Sequence, residues 1–171
     1  MIDGNKPLAT VNDFICVKLG NAVCADGTEV DGKKTMQIYE NYLWGHEFVW
    51  FSTDSLYAGM AKKQVDHYNG IIEGKECDLR ILFAYNDGYN NDIQYSAKVL
   101  QIVSSPEPIS APDLMLPEHY YGSHKKIWIK ISELQKEDII SAKSFVIRAT
   151  GRNLQEVMNK SQFHFGYVSY L

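Results

Sequence analysis

The chain has 171 residues, 45% hydrophobic and 12% aromatic, enough for one domain with a real core and too few for two. No run approaches the roughly 18 apolar residues of a membrane span, and the start, MIDGNKPLAT, has neither the basic end nor the apolar stretch of a signal peptide, so a soluble, cytoplasmic protein is expected. A formal charge of -4 argues against general affinity for nucleic acid, which depends on cations that displace counterions from phosphate.

The charge is unevenly spread. From residue 123 onward eight lysines and arginines stand against four carboxylates, while the rest of the chain has nine against seventeen. Such asymmetry gives an acidic protein one basic face, unless the residues are simply solvated surface. Cys16, Cys24 and Cys77 are odd in number and widely spaced, which fits reduced thiols better than disulfides or a zinc site. The five histidines share no ligand spacing with one another or with a cysteine, so no metal or cofactor is expected.

Residues 11–19, VNDFICVKL, read as a strand ending at Gly20-Asn21, followed by a polar hairpin or surface loop with turn signals at Asp26-Gly27 and Asp31-Gly32. Residues 36–44 fit a strand or a helical turn equally. A strand over 47–51 stops at Ser52-Thr53-Asp54-Ser55, a cluster able to cap a helix. Leu56, Tyr57, Met60, Ala61, Val65 and Tyr68 recur at helical spacing and predict a helix closed by Gly70.

Residues 78–105 predict the central hairpin. Leu79, Ile81, Phe83 and Tyr85 form one face of its first strand, and Leu82 and Ala84 make the other face apolar too, as in a strand covered on both sides. Its loop, residues 86–92, carries Tyr89 at the tip, where a binding residue would sit. Residues 104–124 hold four prolines and no periodic pattern. Residues 125–131 then alternate: Ile127, Ile129 and Ile131 turn to the core, and Trp128 lies outward between Lys126 and Lys130. An outward Trp128 suits stacking on a base or ribose with lysines on phosphate; the alternative is a tryptophan covered by the proline-rich segment. Ser132 predicts a short helical turn, 145–149 a strand, and Asn153 with Glu156 a capping box opening the helix 154–161. The apolar end, FHFGYVSYL, reads as a strand, expected of a domain cut from a longer protein or of a terminus tied into a sheet. The pattern is α+β, a small, mixed, strongly bent barrel of about six strands with two to three flanking helices.

Several stretches resemble the YTH and EVE branch of the PUA-like barrels, which read modified bases. Phe14-Ile15-Cys16-Val17-Lys18 with Gly20-Asn21 resembles the opening strand of YTH domains, and Val49-Trp50-Phe51-Ser52-Thr53 their aliphatic-Trp-Cys-Ser-Thr strand end. Arg80-Ile81-Leu82-Phe83 through Ala97-Lys98-Val99 is similar to the family hairpin, residues 126–131 to its later Trp-containing strand, and residues 152–157 to its closing helix. Phe51 departs from the small residue of the pattern, Tyr89 stands where a tryptophan is typical, and residues 106–124 are unmatched.

The resemblance implies a binding module for a methylated base in DNA, N6-methyladenine first and 5-methylcytosine next. The base would be flipped into an aromatic cage, and RNA is the alternative. The module would target a modification-dependent restriction system whose NTPase or nuclease is a downstream domain or subunit. Trp50, Tyr89 and Tyr85 would form the cage, Ser52, Thr53 and Asn21 would read the base edge, and Lys18, Lys126, Lys130, Arg152 and Trp128 would contact the backbone. Each has a plainer reading: Trp50 as core, Ser52 and Thr53 as helix caps, the lysines as solvated surface. Catalysis is not expected, because Asp78, Asp92, Gln94 and Lys98 have the wrong spacing for a nuclease and no nucleophile triad or phosphate loop is present. Protein interaction through an exposed aromatic strand is the third possibility.

Overall fold

The computed structural model describes residues 9–160 and 162–171. The strands are β1 (Ala9–Thr10), β2 (Phe14–Lys18), β3 (Ala22–Val23), β4 (Glu29–Val30), β5 (Val49–Phe51), β6 (Cys77–Asp78), β7 (Arg80–Asn86), β8 (Asn91–Ile109), β9 (Lys125–Lys136), β10 (Phe145–Ile147) and β11 (Phe165–Tyr170). The helices are α1 (Gly32–Leu43), α2 (Lys62–Gly74) and α3 (Leu154–Lys160). Residues 1–8, read as free of a signal peptide, and Ser161, read as the end of the last helix, lie outside the described residues. Among the described residues no helix is long and apolar enough to cross a membrane.

Seven strands make one mixed sheet in the order β10-β11-β2-β7-β8-β9-β5, with β2 and β7 parallel and the other neighbours antiparallel. Alternation divides its central strands between two cores. Ile15 and Val17 of β2 and Ile81 and Phe83 of β7 join the larger core, with Met36 and Tyr39 of α1 and Tyr68 of α2. Phe14, Cys16, Leu82 and Ala84 face the other way, onto Leu154, Val157 and Met158 of α3.

The fold is thus mixed α+β, but the sheet does not close into the expected barrel: β10 and β5 are its two unpaired ends. Each edge strand has only three residues and offers few free backbone groups, so closure is not needed to protect them. The outer side of β5 is further covered where the Trp50 amide donates to the Met115 carbonyl, 2.8 Å away, in the proline-rich segment.

Three local expectations change. Residues 36–43 belong to α1, with Trp44 as its C-cap, and the helix starts earlier because Asp31 caps it, its carboxylate accepting the Lys34 amide at 2.8 Å. The helix expected over 56–70 begins only at Lys62 and runs past Gly70 to Gly74; Gly59, at φ +76°, breaks the periodic stripe into a short 3-10 turn (Asp54–Leu56) and α2. The turn expected after Ser132 is instead the continuation of β9, where Glu133 at φ 51° forms a bulge against β8.

Candidate ligand pocket beneath the 22–30 hairpin

Strand β5 ends at Ser52, and the chain turns there into the 3-10 turn because Thr53 adopts extended backbone. The turn places Ser52, Thr53 and Asp54 along one side of a narrow pocket. The other sides are Thr35 of α1, Tyr120 and Ser123 of the proline-rich connection, Trp128 of β9, and the β3–β4 hairpin as a cover. Its interior is only about 30 Å³.

The lining combines polar and aromatic groups. Ser52 is 4% exposed, and its hydroxyl has no hydrogen-bond partner among the described residues. A buried hydroxyl left unpaired costs about 1–3 kcal/mol, so it is a position where a ligand atom would recover energy. Thr53 makes no side-chain cap bond, and the caps expected of this cluster are not formed; Ser55 instead donates to the Lys18 carbonyl. Tyr120 stacks on Tyr39, centroids 5.1 Å apart and 13° between planes. Burial first, and then the neighbouring Cys24, hold the Tyr120 hydroxyl well above the usual phenol range, so it is a neutral donor at physiological pH.

The cover is fastened at its tip. Within the hairpin the Cys24 amide donates to Thr28 and the Gly27 amide to Cys24, and its tip is fastened to the wall by Asp26, whose carboxylate lies 2.7 Å from His119 Nδ1. Hydrogen bonds from the Thr28 hydroxyl and amide, with the His119 ring, bring the Asp26 carboxyl down to about 2. A carboxyl depressed in the folded state stabilises fully above its unfolded value of 3.8 and loses that contribution as pH falls through about 2. The Thr28 amide resonance is therefore expected to titrate with a midpoint near 2 and to lose this step in Asp26→Asn; a midpoint near 3.8 would show that the clasp is not formed.

The residues proposed from sequence fall into separate groups. Ser52, Thr53 and Trp128 line this pocket. Trp128 is nonetheless 1% exposed, its indole N–H donating to the Ile109 carbonyl at 2.9 Å, so it is covered by the proline-rich segment and not displayed outward. That burial also removes the exposed aromatic strand suggested for protein interaction. Lys18, Asn21 and Tyr85 lie together in a second cleft on the other side of the hairpin, where Tyr85 is 9% exposed and burial raises its phenol to about 12.

Trp50 is 2% exposed in the larger core and lines none of the described pockets. Tyr89 is 91% exposed at the tip of the β7–β8 loop. The two cannot form one cage: β5 and β7 are three places apart in the sheet, roughly 14 Å at ordinary strand spacing. Trp50 pairs with Lys130, which pairs with Gln101, ten residues along β8 from the loop. Lys126 lies in a groove beside Gly59 and Met60, Lys130 sits over the Phe48 ring at 3.9 Å, and Arg152 is exposed in the turn before α3. Lys126 and Lys130 share β9 with Trp128 but are engaged elsewhere along it, and Arg152 lies beyond the sheet, so none of the three lines the pocket.

No family model matches the chain, and neither a curated protein nor a solved structure matches it.

Cys24, Thr35, Tyr120 and the Asp26–His119 clasp were not anticipated. The hairpin was legible as turns, but Tyr120 stands in a stretch without periodicity and Thr35 in a helix whose apolar face is partly tyrosine and threonine. Among the described residues no group of three histidines, cysteines or acids is placed to hold a metal ion. The nuclease-like residues are engaged in the fold, with Asp78 3.5 Å from Lys98 and Asp92 accepting the Ala142 amide.

Proposed function

We propose that the chain is a nucleic-acid-binding module that reads a methylated base in DNA, as part of a cytoplasmic modification-dependent restriction system. N6-methyladenine is the favoured base and 5-methylcytosine the next. The observation that carries this reading is the unpaired, buried Ser52 hydroxyl in a pocket walled by Tyr120 and Trp128. A planar heterocycle needs aromatic or apolar faces and an in-plane polar partner, and this pocket offers both. The position also agrees with the resemblance, since Ser52-Thr53 is the strand end similar to that of YTH domains. In this proposal the fold is an opened relative of the PUA-like barrel, and catalysis belongs to a downstream NTPase or nuclease partner.

The pocket as it stands, about 30 Å³, is far below the roughly 300 Å³ of typical ligand sites, so the hairpin must lift for a base to enter. Two-residue strands and an exposed clasp make that a low-cost local opening. The aromatic walls then bury the methyl group, worth about 0.8 kcal/mol or roughly fourfold in affinity, and Ser52 adds edge selection.

The test is competition binding with matched duplexes that are unmodified or carry one N6-methyladenine or one 5-methylcytosine. Preference for a methylated duplex of roughly fourfold or more is expected. Equal affinity for all three would overturn the reading, and preference for the cytosine mark would change the base.

A further inference from the structure

The cleft on the other side of the hairpin is wide, about 690 Å³, within the roughly 300–1,000 Å³ usual for ligand sites. Lysines from three separate elements line it: Lys18 at the end of β2, Lys33 in the first turn of α1 and Lys136 at the end of β9. Among the described residues none of the three is in an ion pair, whereas Lys62, Lys98, Lys125 and Lys160 all are. The two carboxylates on the cleft wall are occupied by backbone amides. Asp31 accepts the Lys34 amide, and Asp87 accepts those of Tyr89 and Asn90 at 2.8 and 2.9 Å. The cleft wall thus carries three ammonium groups without a carboxylate partner against two carboxylates held by backbone amides, a small positive balance suited to an anion.

Cleft and closed pocket are neighbours at the hairpin. A shallow strip along the hairpin base shares Ala22, Val23 and Val30 with the pocket and Asn21 and Asp31 with the cleft. Among the described residues, the one further acid lining that strip is Glu29. The base of the hairpin therefore lies between a pocket lined by aromatic and hydroxyl groups and a cleft lined by lysines.

We propose that the lysine cleft holds the sugar-phosphate backbone of the DNA strand whose extruded base occupies the pocket, an inference that rests on the base-reading function. Three cations contributed by three elements suit successive phosphodiesters better than one phosphate. The assignment replaces Lys126, Lys130 and Arg152 with Lys33 and Lys136 as partners of Lys18.

The experiment measures binding of a methylated duplex and its unmodified match between about 50 and 200 mM salt, for the wild type and for the triple variant Lys18→Gln, Lys33→Gln, Lys136→Gln. A control triple carries Lys63→Gln, Lys75→Gln and Lys143→Gln, which line neither the pocket, the strip nor the cleft. Each lost phosphate contact makes the slope of log affinity against log salt shallower by roughly 0.9, so the cleft variant should lose about 2–3 from the slope for both duplexes, and the control much less. Equal losses in the two variants would overturn the cleft assignment. The loss of slope with no methyl preference would keep the cleft and refute base reading. The same loss with tighter binding of a matching RNA would keep the cleft and refute DNA as the partner, and no binding of either duplex at low salt would refute both.

Discussion

Replacing Trp50 by alanine is expected to destabilise the fold by about 3–5 kcal/mol, the cost of emptying the space of a large buried aromatic side chain. Trp50 is the middle residue of an edge strand flanked by Val49 and Phe51, all three buried. Loss of the side chain therefore opens the core where β5 meets β9, and any effect on binding should follow the loss of folding. Its indole N–H has no partner among the described residues, which predicts a milder result for Trp50→Phe, because phenylalanine keeps an aromatic ring and removes an unpaired donor. Urea denaturation separates the cases. An alanine variant with wild-type stability that has lost only methyl preference would restore Trp50 to a cage and refute its assignment to the core.

The second large effect is expected at Asp13, just before β2. Its carboxylate is 7% exposed and accepts the Tyr68 hydroxyl at 2.7 Å, while His67 Nε2 lies at 3.0 Å and the Arg148 guanidinium at 2.9 Å. One side chain thus ties the start of the sheet to α2 and to the end of β10. Removing a partner from such a buried charged cluster costs about 3–5 kcal/mol, and the low end applies because His67 and Arg148 are about half exposed and regain water. Asp13→Ala should cost about 3 kcal/mol, with the buried Tyr68 hydroxyl left unpaired, and at roughly 2–4 °C per kcal/mol the melting temperature should fall by about 6–12 °C. Asp13→Asn keeps an acceptor for Tyr68 and should lose less. A calorimetric scan of the two variants decides, and an alanine variant that melts with the wild type would mean the cluster is not formed.

What could be read in advance follows the range of the interactions. The two-sided apolarity of β7 is a local pattern, and the division of Ile81 and Phe83 from Leu82 and Ala84 between two cores follows from it. Helix α1 was obscured because Asp31-Gly32 looks like a turn when it is a cap and first residue, and because Thr35 and Tyr39 share its buried face. Gly59 marks the break in the following periodic stripe, but its positive φ depends on the surrounding chain. For the site, Ser52 and Thr53 were legible because a strand end followed by small polar residues is a local feature. The proposed meeting of Trp50 and Tyr89 failed because it depended on strand order, which places β8 and β9 between them. Tyr120 reaches the pocket through a proline-rich segment whose path is set by tertiary contacts such as those of Met115 and Ile109, and no periodicity announces it.

If Ser52 is held unpaired for a ligand, Ser52→Ala should separate stability from binding when both are measured on the same preparation. In the free protein the change deletes a buried hydroxyl without a partner, so stability should be unchanged or raised by about 1 kcal/mol. Binding of the methylated duplex should weaken by about tenfold, which corresponds to about 1.4 kcal/mol for one lost hydrogen bond, with the salt dependence intact. A variant that is equally or more stable yet binds the methylated duplex as the wild type does would show that the Ser52 hydroxyl does not contact the base.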